Sequence, residues 1–161
     1  MSREIRCYDY VNHPYLQVRD ALSHDPVAIF QSATRAATSR AQSVASQLRV
    51  DVSGVSLEAD ILISVHKIEE QTPEMGAPVT RLQLEWKAAK TPGLFPLMKA
   101  ELAVYPLTAN ETQLDFSGVY EPPFGAVGKA MNALAGHRIA EVSVHRFVND
   151  VAEYLRGVLR N

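Results

Sequence analysis

Cysteine is nearly absent from this chain of 161 residues, in which Cys7 is the only one. A single cysteine can form neither an internal disulfide nor a thiolate metal site, which is typical of a reducing compartment. Nothing in the neighbouring sequence places a base beside it. We therefore expect Cys7 to act as a small buried apolar residue and not as a nucleophile.

An excess of positive charge and long apolar runs are also lacking. Lys and Arg total 16 against 18 Asp and Glu, a net charge of −2, so a nucleic-acid partner is not expected. No apolar run approaches the roughly 20 residues of a membrane span, and no apolar signal core follows residues 1–4. The length fits one domain over residues 1–161, which we expect to be soluble and cytoplasmic.

The middle of the chain shows the period-two patterning of β-strands, broken by short connections that contain Gly, Pro or Asn. Short connections favour antiparallel neighbours. The predicted strands cover residues 3–11, 49–55, 57–69, 79–89, 95–107 and 112–120.

Two helices are predicted between the first strand and the later ones. Pro14 and Pro26 each suit the first position of a helix, where the missing N–H costs nothing, and Asp25 suits the N-cap of the second. The second helix, rich in alanine, should run from about Pro26 to Leu48. A further long helical pattern occupies the C-terminal forty residues.

Alternation assigns the faces of the predicted strands. In the strand at 57–69 we place Ile61, Ile63 and Val65 inward, which turns His66 outward and leaves Lys67 as the one charged inward residue. The inward sets of the last three strands are apolar, while their alternates are charged or polar. These sets are Leu82, Leu84, Trp86 and Ala88; Met98, Ala100, Leu102 and Val104; Leu114, Phe116, Gly118 and Tyr120.

Residues suited to catalysis or to cofactor binding are scarce on these inward faces, so no catalytic residue is assigned and binding is favoured over catalysis. Gly125-x-x-Gly128 lacks the Lys-Ser/Thr of a phosphate loop, and no cofactor is expected. His137, Glu141 and His145 recur at four-residue spacing, but the two imidazoles lie about 12 Å apart along a helix. We expect a solvated stripe and no metal site.

The last helical pattern contains a change of phase near Gly136. One apolar stripe consists of Phe124, Val127, Met131 and Leu134, and a second one, rotated away from it, begins at Ala140. A straight helix cannot present both stripes to one wall. We therefore expect a kink, a break or two packing partners at residues 135–137.

Two segments near the C-terminus resemble those of the START-like, or polyketide cyclase-like (SRPBCC), superfamily. They read Gly118-x-Tyr120-x-Pro122-Pro123-x-Gly125-x-x-Gly128 and His137-Arg138-x-Ala140-Glu141. The resemblance implies an α+β helix-grip fold, in which a curved antiparallel β-sheet wraps around a long C-terminal α-helix and two helices follow the first strand. It also implies a cavity for apolar ligands between the sheet and that helix.

The inward faces and the first apolar stripe together predict the lining of this cavity. Trp86 and Tyr120 each join an apolar body to a polar tip, which suits a ligand with few directional contacts. The predicted ligand-binding residues are Ile63, Leu84, Trp86, Met98, Phe116, Tyr120, Val127, Met131 and Leu134.

The first functional hypothesis is a carrier or sensor of a small, largely apolar molecule, such as a lipid, a polyketide or an isoprenoid-like compound. An alternative is a cyclase, aromatase or dehydratase in which Tyr120 polarises a carbonyl, and Asp60 and His66 inside the cavity would favour it. A further alternative is a protein-interaction module with a filled core, in which the sheet or a homodimer surface matters more than a pocket. The volume of the cavity separates this last alternative from the other two.

Overall fold

The structure, a computed structural model, describes residues 3–48, 61–88, 97–121 and 133–159. The predicted strand at residues 49–55 lies outside these ranges. In chain order the described elements are β1 (Arg3–Val11), α1 (Tyr15–His24), α2 (Pro26–Gln47), β2 (Ile61–Gln71), β3 (Val79–Ala88), β4 (Leu97–Thr108), β5 (Glu111–Glu121) and α3 (Ala133–Val158).

The five described strands form one antiparallel sheet in the order β1-β5-β4-β3-β2. Consecutive strands pair from β2 to β5, as their short connections predict, and β1 then adds to the far side of β5. Cys7 lies opposite Phe116 in that last pair. The sheet therefore places the first described strand beside the last one, and α2 and α3 pack on one of its faces.

Prolines begin the first two helices close to the predicted positions. Pro14 has extended backbone (ψ 147°), so α1 starts one residue later than predicted, and its carbonyl accepts hydrogen bonds from the N–H groups of Gln17 and Val18. Pro26 is the first residue of α2, as predicted. The side chain of Asp25 caps that helix by accepting from the N–H of Ala28 at 3.3 Å.

A β-bulge in β2 changes which of its residues face inward. Val65 and Lys67 lie opposite Leu84 and Gln83, which are consecutive, so His66 is an extra residue on the bulged strand. Ile63, before the bulge, is buried, and His66 is exposed, both as predicted. The inward placement of Lys67 is wrong: its side chain is 63% exposed, because the bulge shifts the alternation by one residue.

Helix α3 is continuous from Ala133 to Val158, which excludes the break among the three outcomes expected at residues 135–137. A kink or two packing partners there stay predictions. Gly136 lies within its first turn. Most of the second apolar stripe is buried, whereas Val158, at the end of the helix, is exposed; the buried members are Ala140, Val144, Phe147, Val151 and Leu155. Residues 124–132 of the first stripe lie outside the described ranges. None of the described helices combines the length and the apolar character that crossing a membrane requires.

Phe147 of α3 is the centre of the aromatic core. Its ring centroid lies 4.9 Å from that of Trp86 on β3, 5.8 Å from that of Phe116 on β5 and 5.8 Å from that of Phe30 on α2. The inward faces predicted for β3, β4 and β5 are buried wherever their side chains are described. One side chain thus joins both long helices to the sheet.

Replacing this ring should be costly. We expect Phe147→Ala to lower the free energy of unfolding by about 3–5 kcal/mol, since it removes a fully buried ring and leaves a cavity. Urea denaturation measures the change. Val158→Ala on the same helix is the control and should cost less than about 1 kcal/mol, because Val158 is 51% exposed. Similar losses in the two variants would contradict the central position of Phe147.

Candidate functional site

Four of the predicted ligand-binding residues form a row across the inner face of the sheet. Ile63 lies opposite Trp86, Trp86 opposite Met98, and Met98 opposite Tyr120. Neighbouring strands are about 4.8 Å apart, so the row spans roughly 14 Å. All four residues are buried. The row presents an apolar surface that ends in the phenol of Tyr120.

The next row of the inner face contains the smallest side chains. Leu84 lies opposite Ala100, and Ala100 opposite Gly118. A Cβ atom added at Gly118 would lie 2.8 Å from Met98 Sδ and 2.9 Å from Phe116 Cε1. The absence of a side chain at Gly118 therefore makes the room that Met98 and Phe116 occupy.

Gly118→Ala tests this close approach. We expect a loss of about 1–3 kcal/mol in the free energy of unfolding, because two buried side chains must shift to admit the methyl group. Gly157→Ala is the matched control, since nothing lies within 4 Å of a Cβ at Gly157 on α3. The control should gain up to about 1 kcal/mol from the better helix propensity of alanine. Thermal denaturation of both variants decides, and a neutral Gly118→Ala would contradict the packing described.

The polar end of the site joins β5 to α3. The Tyr120 hydroxyl lies 2.9 Å from His137 Nδ1, and His137 Nε2 lies 3.6 Å from a carboxylate oxygen of Glu141. Tyr120 is buried, whereas the side chain of His137 is 38% exposed. A hydroxyl, an imidazole and a carboxylate thus follow one another from the interior to the surface.

Polar residues of α3 that follow His137 contact β1. His145 Nδ1 lies 3.4 Å from Cys7 Sγ, and the Asn149 amide donates to Asp9 at 3.3 Å. Two residues of a strand span about 6.7 Å and four residues of a helix about 6 Å. The Cys7–His145 and Asp9–Asn149 pairs are therefore separated by similar distances along β1 and along α3. Arg156 then donates to Asp9 at 3.0 Å.

The expected solvated stripe with i,i+4 pairing is confirmed, since His145 is exposed and the partly exposed His137 and Glu141 pair at 3.6 Å. The sequence did not predict that both histidines also contact the sheet. His137 contacts Tyr120 on β5, and His145 contacts Cys7 on β1. We call the polar contacts between α3 and β1 the α3–β1 seam; it consists of Cys7–His145, Asp9–Asn149 and Asp9–Arg156. No cluster of three His, Cys, Asp or Glu residues suited to a metal ion occurs among the described residues.

Cys7 is buried, as expected, although no pattern in the sequence indicated its histidine neighbour. Burial raises the pKa of the Cys7 thiol to about 11, with smaller contributions from Asp9 and Asp115. The thiol is therefore protonated at neutral pH and can donate to His145. A protonated, buried thiol is a poor nucleophile.

Alkylation kinetics test this assignment. A pKa raised from 9.0 to about 11 lowers the thiolate population near pH 8 roughly 100-fold, so native Cys7 should react with iodoacetamide at least that much more slowly than Cys7 in guanidinium chloride. The control is Ser117→Cys in a Cys7→Ala background, because Ser117 is exposed. It should react at nearly the unfolded rate, and an equally fast native Cys7 would contradict the assignment.

The remaining candidate residues divide between described and undescribed positions. Leu84 and Phe116 are buried on the inner face, and the Phe116 ring stacks on Trp86 at 5.6 Å. Leu134 lies in the first turn of α3, and Val127 and Met131 lie outside the described ranges. Asp60 also lies outside them. His66 faces solvent, with Nε2 3.2 Å from the Glu85 carboxylate.

Comparison with known proteins gives similarity in structure only. No family model matches the sequence, and a search of curated proteins finds no match. The crystal structure of TTHA0849 from Thermus thermophilus aligns with a TM-score of 0.51 at 10% identity, covering 98% of this chain and 99% of that one. The fold of this chain is therefore similar to that of TTHA0849.

Two further solved structures align with lower scores. The Zhui aromatase/cyclase from Streptomyces sp. R1128 gives a TM-score of 0.46 at 14% identity, covering 99% of this chain and 97% of that one. Ara h 8.0201 gives 0.47 at 6% identity, covering 98% and 99%. The sheet order, the long C-terminal helix and the alignment with TTHA0849 confirm the predicted α+β helix-grip fold.

Proposed function

We propose that this protein binds a small, largely apolar molecule between the inner face of its sheet and α3. The observation that carries the proposal is the row of Ile63, Trp86, Met98 and Tyr120, a continuous apolar surface with one polar end. Ligand pockets are commonly apolar with a few placed polar groups. Lipids, polyketides and isoprenoid-like compounds have the complementary chemistry, with a large apolar body and few polar atoms.

The lining is proposed to include all nine residues predicted from the sequence. The described six come from four adjacent strands of one sheet, which supports a shared surface. Val127, Met131 and Leu134 stay a prediction, made from the apolar stripe that precedes Gly136. A carrier or sensor needs no reacting group, in keeping with the buried residues described on β3 and β4, none of which is charged.

Catalysis of a cyclase or dehydratase type is the second candidate, and the Tyr120–His137 hydrogen bond is the observation that favours it. An imidazole next to a phenol could support proton transfer to a carbonyl group. His66, however, lies on the solvent side of β2. This candidate therefore rests on Tyr120 and His137 alone among the described residues considered for it.

An interaction module with a filled core is the third candidate. The contacts among Trp86, Phe116 and Phe147 favour it, because these rings occupy part of the interior. A larger side chain beside these rings would weaken ligand binding if the core contains a ligand cavity, and would lower the free energy of unfolding if the core is filled. Ala100, in the row of small residues, is the position that distinguishes them.

Ala100→Leu is the test, with cis-parinaric acid, a fluorescent fatty acid, as the probe. We expect the native protein to bind the probe and the variant to bind it at least about tenfold more weakly, because three added carbon atoms occupy ligand space. We expect the free energy of unfolding to change by less than about 1 kcal/mol. A filled core would instead lose about 1–3 kcal/mol through overpacking.

The matched control is Ala109→Leu, in the exposed turn between β4 and β5. It should leave both probe binding and stability unchanged. Failure of the native protein to bind cis-parinaric acid, together with a destabilised Ala100→Leu variant, would contradict the proposed function and support the filled core.

A further inference from the structure

We propose that two copies of this protein associate through β1, with Glu4 of each copy opposite Arg6 of the other. The surface is an edge of the sheet and not its inner face, so the inference does not depend on the proposed ligand. The partner that this surface fits is a second copy of the chain, because its exposed charges are complementary to themselves.

Strand β1 lies at an edge of the described sheet. One side of β1 pairs with β5, and no described strand pairs with the other side, which we call the free edge. An edge of this kind presents N–H and C=O groups that can pair with a strand of another molecule. The side chains of Glu4, Arg6 and Tyr8, on the outer face of β1, are exposed. A second strand can therefore meet polar backbone and two opposite charges here.

The hydrogen bonds of Tyr10 show which backbone groups of β1 point away from β5. The Tyr10 N–H donates to Asp9 Oδ1 at 2.7 Å, and the Tyr10 carbonyl accepts from Arg156 of α3. In an antiparallel strand both groups of one residue point to the same side, and the side alternates from residue to residue. The pairing with β5 is regular along all of β1. The backbone groups of Glu4 and Arg6 therefore also point to the free edge.

Side chains of the same molecule protect the C-terminal part of the free edge. Arg156 donates to the Asp9 carboxylate at 3.0 Å as well as to the Tyr10 carbonyl, and its guanidinium lies 5.7 Å from the centre of the Tyr10 ring. In the described part of the chain, no side chain caps the backbone of Glu4 or Arg6 in this way. The N-terminal part of the edge is therefore the part open to a partner strand.

Charge selects one register for two antiparallel copies of β1. Hydrogen-bonded pairs form between residues whose backbone groups point to the free edge. They can place Glu4 opposite Arg6, either residue opposite itself, or Arg6 opposite Tyr8. A residue opposite itself brings like charges together, which is destabilising. The Arg6–Tyr8 register would also put Glu4 opposite Tyr10, whose backbone groups are already bonded.

The remaining register forms two Glu4–Arg6 ion pairs, related by a two-fold axis at Ile5. Such a self-complementary contact closes as a dimer and does not continue into a fibre. The Arg6 side chain is 71% exposed, and its contact with Asp115 of β5 is long, at 3.6 Å. It can therefore turn to Glu4 of the second copy. Exposed ion pairs contribute little and are screened by salt, so we expect a weak, salt-sensitive dimer.

Sedimentation velocity of the native protein, over about 5–500 µM, measures the association. Glu4→Arg and Arg6→Glu should each weaken the dimer about tenfold, because each places like charges opposite one another twice. The double variant Glu4→Arg/Arg6→Glu restores opposite charges and should return to within about threefold of the native affinity. Glu74→Arg, in the exposed connection between β2 and β3, is the control for net charge and should associate as the native protein does.

Oxidative cross-linking with copper phenanthroline tests the register. Ile5 would lie opposite itself in a non-hydrogen-bonded pair, with Cα atoms about 4.5 Å apart, which a disulfide can bridge. Ile5→Cys in a Cys7→Ala background should therefore form a covalent dimer. Native Cys7 would lie four strand residues from its counterpart, about 13 Å, and should not cross-link. Tyr8→Cys in the Cys7→Ala background, with an exposed thiol, measures cross-linking by random collision.

A monomer at every concentration would overturn the proposal. A dimer that neither single charge reversal weakens, or a double variant as weak as the single ones, would overturn it as well. Cross-linking through native Cys7 but not through Ile5→Cys would overturn the register. Ile5 is buried, so thermal denaturation checks that Ile5→Cys is folded. The charge variants alter exposed residues, and their affinities decide if it is not.

Discussion

The structure depends on the packing of α3 against the inner face of the sheet. A helix of 26 residues is about 39 Å long and a strand of 12 residues about 40 Å, so α3 can follow the sheet from end to end. Its apolar stripe and the inward strand faces supply most of the buried surface. Burial of apolar area is the main favourable term in folding, and here α3, together with α2, covers the inner face of the sheet.

Apolar packing by itself does not fix the position of α3 along its own axis relative to the sheet, because the hydrophobic effect has no direction. The polar contacts of the α3–β1 seam fix this position. From Cys7–His145 to Asp9–Asn149 the seam advances by two strand residues and four helical residues, so a shift of α3 by one turn would place His145 and Asn149 opposite the wrong partners. The seam therefore also sets where His137 meets Tyr120, and thus the geometry of the candidate site.

Much of the fold follows from local sequence patterns. Alternation in β3, β4 and β5 identified the buried faces because each strand has one wet and one apolar side, and Pro26 with Asp25 located the start of α2 within one residue. The bulge at His66 could not be predicted, since the residue it inserts resembles any other outward residue of the strand. The error at Lys67 follows directly from it.

The polar part of the candidate site was the least accessible to sequence analysis. Tyr120 is 17 residues from His137, and Cys7 is 138 residues from His145. Periodicity reports which residues share a face of one element, but not which strand lies beside it. The four-residue spacing of His137, Glu141 and His145 was visible, yet their partners on β1 and β5 depend on the tertiary register of α3.

Native mass spectrometry of the protein, purified without detergent or added lipid, tests the central claim most directly. The account predicts a population whose mass exceeds that of the chain by one small molecule, which is released under denaturing conditions and is reduced in Ala100→Leu. A native spectrum that shows only the mass of the chain, unchanged after incubation with cis-parinaric acid, would contradict the account.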